Sequence, residues 1–174
     1  IKQTPADSAE EYLRSVLNAL ELQDITITAK ETEDGVEFDL SGDNVGAVIG
    51  RRGETLDALQ YLTGLVANHV DNAYFRVTLN IGDYREKREK TLDALGRKLA
   101  FKTLKSGRKN FLEPMNPYER RIIHTAVQKI NGVISWSEGE NINRHVVIGL
   151  DPKVKRPRNN YRNDNRGPRK PYNN

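Results

Sequence analysis

Cysteine is absent from the 174 residues, which removes disulfides, thiolate metal sites and cysteine nucleophiles together and fits a reducing compartment. No apolar stretch approaches the roughly 18 residues of a membrane span, and no basic-then-apolar leader opens the chain. The expectation is a soluble, cytoplasmic protein. There is no P-loop, no G-x-G-x-x-G, no H-E-x-x-H and no G-x-S-x-G, and the three histidines, His69, His124 and His145, are scattered among unrelated elements. Glu138 and Glu140 lie two apart in a turn without an acid/base partner. No catalytic residue, metal site or cofactor is expected. The first residue is Ile1 instead of methionine, as expected where upstream sequence has been cut away.

What is present begins with 36% hydrophobic residues, enough for two modest cores but not for one large one. The net charge of +4 is unevenly spread. From Asp151 onward eight Lys and Arg face two Asp, so the first 150 residues are net negative by two charges. A near-neutral body with a cationic, Asn- and Pro-rich tail is the pattern of a disordered arm attracted to a polyanion, or of a solubilising tail.

Leu13, Val16, Leu17 and Leu20 recur at helical spacing behind Ser8 and Glu11, which read as a capping box. Ile25 and Ile27 alternate with Thr26 and Thr28, and Val36, Phe38 and Leu40 with Glu37 and Asp39, across an Asp34-Gly35 turn. A glycine-interrupted helical stretch, Gly42 to Val70, leads to Phe75, Val77, Leu79 and Ile81, again alternating. Strands apolar on one face only need helices on that face, which argues against a doubly wound fold. Asp83 and Glu86 read as a second capping box, opening a helix whose first turns are so charged that they bridge two domains. Asn116-Pro117 starts another helix, running to about Asn131, and Val133 to Ser137 and His145 to Leu150 read as strands.

The densest information lies in Val48-Ile49-Gly50-Arg51-Arg52-Gly53-Glu54. Glycine at both ends admits positive φ and lets a sugar-phosphate chain approach, while Arg51 and Arg52 supply charge where phosphate would sit. A helix beginning after Gly53 adds its positive dipole end. Glu54 stabilises that helix start and repels phosphate. Val45, Val48 and Ile49 are expected to line an apolar groove for unpaired bases. G-x-x-G alone is common in ordinary turns; the alternating hairpin before it, the helices around it and the strand after it change that reading. With this context the stretch resembles a KH domain of the bacterial type, type II, in which G-x-x-G clamps about four nucleotides.

Arg120 and His124 stand one turn apart on the helix from Pro117, at the polar border of a stripe formed by Ile123, Ala126, Val127 and Ile130. They are expected to face solvent together as paired donors for a phosphate, with Arg121 close by and Arg144 extending the basic surface. The string Met115 to His124 resembles the signature of the R-three-H (Arg-x-x-x-His) domain of nucleic-acid-binding proteins. KH followed by this domain is similar to the bacterial Jag family, also called KhpB or EloR, and Gly50 to Leu62 resembles it as well. That resemblance implies RNA binding linked to cell elongation and division, pairing with a small single-KH protein, association with a membrane-protein insertase, and usually a further N-terminal domain.

The reading is therefore an α+β chain of two small two-layer α/β modules. A type II KH domain spans 1–82, an R-three-H domain with a leading linker helix spans 83–150, and a basic disordered tail spans 151–174. Single-stranded RNA is the expected ligand, with single-stranded DNA open. Gly50, Arg51, Arg52, Gly53, Val45, Val48, Ile49, Arg120, Arg121, His124 and Arg144 are the expected contacts. The alternative is a protein-protein scaffold, a homodimer or a docking platform, which has no need of the loop arginines.

Overall fold

A computed structural model describes residues 3–70 and 73–154, so the basic tail lies outside the described residues except for its first four positions. Helix α1 (Pro5–Ala19) is followed by β1 (Thr26–Thr32), β2 (Gly35–Ser41), the short α2 (Val45–Ile49), a 3-10 turn (Arg51–Gly53), α3 (Glu54–Val70) and β3 (Arg76–Asn80). β1 runs antiparallel and β3 parallel to the central β2. Val36, Phe38 and Leu40 of β2 point to one face, where they meet Leu13 and Leu17 of α1 and Leu56 and Leu59 of α3. Period-2 burial on the sheet and period-3.6 burial on the helices thus close one core.

Two helix starts differ from expectation. α1 is capped by Thr4, not Ser8: Asp7 N donates to Thr4 Oγ1 at 3.1 Å while Thr4 N donates to Asp7 at 3.1 Å, and Pro5 takes the first helical position. The Thr4 hydroxyl also donates to Asp7, holding that carboxyl below its ordinary range. Asp83 flanks α4 (Tyr84–Ser106) without a side-chain cap, because its carboxylate turns to Lys87 Nζ at 3.0 Å. By contrast Asn116 caps α5 (Pro117–Gln128) as its sequence dictates, accepting from Glu119 N at 2.8 Å.

The second unit adds β4 (Asn110–Phe111), β5 (Val133–Glu138) and β6 (His145–Leu150) in the antiparallel order β4-β6-β5. α4 and α5 pack on one face of this sheet, burying Leu92, Ile123, Val127, Val146 and Ile148.

The charged first turns of α4 do join the two units. Tyr84 packs on the first core, and Arg85 reaches back to Asp57 at 2.9 Å, Gln60 at 3.1 Å and the Leu79 carbonyl at 3.2 Å. Gln60 also accepts from Leu79 N at 3.0 Å. The open edge of β3 is thereby blunted by side chains of α3 and α4. Asn116 donates to Asp57 at 3.2 Å, and Arg52 pairs with Glu113, so the start of α5 and the strand-to-helix connection before it are fastened to the same place.

Candidate nucleic-acid interface

The glycine loop is shaped first by its own fold. Gly50 has φ 69 and ψ −166, a region open essentially to glycine alone, and a Cβ there would meet Thr55 Oγ1 at 2.1 Å. Gly53 has φ 80, and its Cβ would press on the Tyr84 ring at 3.0 Å. Both glycines thus take the positive φ expected of them, and packing within the protein adds a second requirement for glycine at each position.

The residues around the loop divide into three groups. Val48 is wholly buried in the first core, so it belongs to the fold and not to a surface groove. This corrects the expectation for Val48, and the cause is the tight turn at Gly50, which aims the α2 side chains inward. Val45 and Ile49 are half-buried against the same core and keep a surface. Arg52, with φ 55, folds toward Glu113 and is mostly covered, while Arg51 is exposed and has no ion-pair partner among the described residues.

On α5, Arg120 and His124 are half-buried rather than open to solvent, since β5 lies against them. Arg120 donates to the Met115 carbonyl at 3.3 Å and to Ser137 Oγ at 3.0 Å. His124 lies 2.7 Å from Ser135 Oγ through Nδ1 and 3.1 Å from Ser137 Oγ through Nε2. Burial and then the neighbouring Arg120 charge push the His124 pKa down, so the ring is neutral near pH 7. With Arg120 donating to Ser137, the arrangement that satisfies each group has Ser137 donate to Nε2 and Nδ1–H donate to Ser135. Neither Ser135 nor Ser137 stands out in the sequence. Their i, i+2 spacing puts them on one strand face, but only the packing of α5 shows what they meet.

Arg121 turns away from this pair. It lines a separate groove between α4 and α5 that holds Glu86, Glu89 and Asp93 together with Lys90 and Lys129. The proximity expected for Arg121 does not survive, because adjacent helical residues project about 100° apart. Arg144 is placed with the site: its Nη1 donates to the Gly139 carbonyl at 2.9 Å, and its own carbonyl accepts from Met115 N at 3.1 Å. His69 is exposed near the end of α3 and His145 opens β6, its Nδ1 3.0 Å from the Asn143 carbonyl.

His124 lines one pocket with Ser135 and Ser137, whereas the glycine loop and Arg120 border a different cleft of about 860 Å³. Arg51, Arg52, Glu54 and Asp57 form one wall, and Met115, Asn116, Arg120, Ile142 and Arg144 stand on the other. Its acids are largely committed elsewhere: Asp57 to Arg85 at 2.9 Å and the buried Glu119 to Arg88 at 2.9 Å. Arg51, Arg120 and Arg144 therefore give the cleft a positive lining opposed chiefly by Glu54, which suits a polyanion.

A helix-on-sheet unit with G-x-x-G between two helices, joined to a helix-on-sheet unit carrying Arg-x-x-x-His, defines a KH domain followed by an R-three-H domain. Family models agree: the KhpA/KhpB KH domain matches residues 6–81 and the R-three-H domain matches residues 90–149. The RNA-binding protein KhpB of Clostridium symbiosum is 45% identical over 156 residues, covering 89% of this chain and 70% of that protein. RNA-binding protein KhpB of Bacillus subtilis (strain 168) is 36% identical over 149 residues, covering 84% and 71%. The Streptococcus pneumoniae protein of that name (serotype 2, strain D39) is 33% identical over 143 residues, 80% of this chain and 42% of its own length. The chain belongs to the KhpB family.

Proposed function

We propose that this chain binds single-stranded RNA, and that one strand passes along the cleft between the modules, held by the glycine loop on one side and by the Arg120–Arg144 wall on the other. The observation that carries this reading is the convergence on a single cleft of Arg51 from the glycine loop, Arg120 from the Arg-x-x-x-His helix and Arg144 from the turn before β6. The names of the curated relatives support RNA as the ligand. The role is binding and not catalysis, and the link to cell elongation and division drawn from the family resemblance would follow from the RNAs held. Arg51→Asp is the sharpest probe, since Arg51 is exposed and makes no ion pair among the described residues. It is expected to lower affinity for a random RNA pool while leaving the unfolding midpoint in place. Unchanged binding removes the loop from the interface.

A second reading has its own observation. Tyr61, Leu62 and Leu65 on α3 are 68%, 43% and 52% exposed, away from the cleft. This face suits a second KH module, either another copy of this chain or a small single-KH protein. Leu65→Lys is expected to abolish such pairing in sedimentation experiments and to leave RNA affinity per module unaltered; persistence of pairing places the contact elsewhere.

A further inference from the structure

The cleft contains one residue that neither folding nor phosphate binding explains. Ile142 is 88% exposed, the highest exposure of any large hydrophobic side chain among the described residues, yet it lines the cleft beside Arg120 and Arg144. It sits in a 3-10 turn, Asn141–Asn143, entered through Asn141 at φ 49. The turn is pinned from several sides. Asn143 N donates to the Glu140 carbonyl at 3.0 Å, Arg144 N to the Asn141 carbonyl at 3.2 Å, and the Arg144 side chain closes on Gly139. The Arg144 carbonyl in turn accepts from Met115 N, which ties the base of the turn to the start of the Met115–Pro117 segment. An isoleucine held rigidly in water gains nothing from burial, and Asn141 carries a left-handed backbone to keep it there.

We infer that Ile142 is a base-contacting residue: its side chain packs against the face of an unstacked nucleobase of the strand whose phosphates are held by Arg51, Arg120 and Arg144. The inference rests on the reading of the cleft as an RNA site and adds what that reading lacks, a contact to something other than phosphate. Cations that neutralise phosphates hold a strand without regard to its bases, whereas apolar contact with a base face requires that the base be present and unpaired. A β-branched side chain suits the task, because its few rotamers mean little entropy is lost when a base settles on it.

The test compares Ile142→Ser with Arg51→Gln on a mixed-sequence single-stranded RNA of about twelve nucleotides, enough for roughly three of the four-nucleotide stretches a KH loop clamps. A matching strand carrying abasic positions serves as the control. Ile142 touches solvent almost everywhere, so Ile142→Ser leaves the unfolding midpoint unmoved. It is expected to weaken binding of the intact strand by about tenfold, equivalent to roughly 1.4 kcal/mol, with the slope of log K against log salt unchanged. It binds the abasic strand as the unsubstituted chain does. Arg51→Gln weakens both strands and flattens the slope. If Ile142→Ser binds the intact strand normally while Arg51→Gln does not, the cleft reading stands and the base contact is overturned. If Ile142→Ser weakens both strands alike, the side chain acts on loop shape and the inference is again overturned. If the unsubstituted chain holds neither strand at low salt, the cleft reading itself fails and the inference with it.

Discussion

Arg120 and His124 meet at a single hydroxyl: Ser137 Oγ lies 3.0 Å from the Arg120 guanidinium and 3.1 Å from His124 Nε2. The two residues that give the motif its spacing are therefore not independent donors pointing into water. They form one chain of hydrogen bonds, Arg120 to Ser137 to His124 to Ser135, in which the cation polarises each successive bond. The i, i+4 spacing on α5 is what lets both reach the same strand.

Ser137→Ala tests that unit. It leaves a half-buried guanidinium and imidazole each short of a partner, and a buried group left unpaired costs about 1–3 kcal/mol. Urea unfolding is expected to show a decrease of that order, and RNA affinity is expected to fall although Ser137 does not line the cleft. Unchanged stability and unchanged affinity together contradict the shared-hydroxyl account.

Stability should also depend on pH through His124. Burial, then the Arg120 charge, lowers its pKa from the ordinary 6.5. Between the lowered value and 6.5 the unfolded chain binds more protons than the folded one, so stability rises with pH across that window. The contribution is whole above the unfolded value and is lost as pH falls toward the folded one. Unfolding free energies followed from about pH 8 down to about pH 5 check this sign. His124→Gln is expected to flatten that part of the profile; a variant profile parallel to that of the unsubstituted chain shows that the dependence arises elsewhere.

Gly50→Ala addresses the loop. With φ 69 and ψ −166 at Gly50 and Thr55 Oγ1 only 2.1 Å from the added methyl, the variant is expected to lose about 2–3 kcal/mol, and the double variant with Thr55→Ala to recover only part of the steric share, because the Cβ that alanine keeps still stands 2.7 Å away. Thermal unfolding of both variants measures the split. A Gly50→Ala chain as stable as the parent contradicts the packing role given to this glycine.

The element order, the one-sided sheets and both motifs are legible because each rests on local periodicity: Val36-Phe38-Leu40 on β2, Ile123-Ala126-Val127 on α5, and Asn116-Pro117 at its start. What cannot be read depends on residues distant in sequence. Glu113 removes Arg52 from the free surface, and Ser135 and Ser137 draw Arg120 and His124 inward; nothing within a helical turn of either motif announces these partners. Val48 escapes a sequence reading because α2 has only five residues, too short for periodicity to distinguish its inner face. The same limit explains Thr4: Thr4 and Asp7 have the capping spacing as clearly as Ser8 and Glu11, and Pro5 decides between them through its fixed φ. β4, two residues long, has no pattern at all and exists through its pairing with β6.

A single strand running along the cleft is held by both of its walls. Arg51→Gln and Arg144→Gln, which alter the two walls of the cleft separately, can be titrated against RNA oligomers of increasing length. On strands of about four nucleotides, the span of one KH loop, only Arg51→Gln should weaken binding; on strands long enough to cross the cleft both should. Each should then flatten log K against log salt by about 0.7 for every phosphate no longer neutralised. A long strand that responds to one variant and ignores the other contradicts the shared cleft.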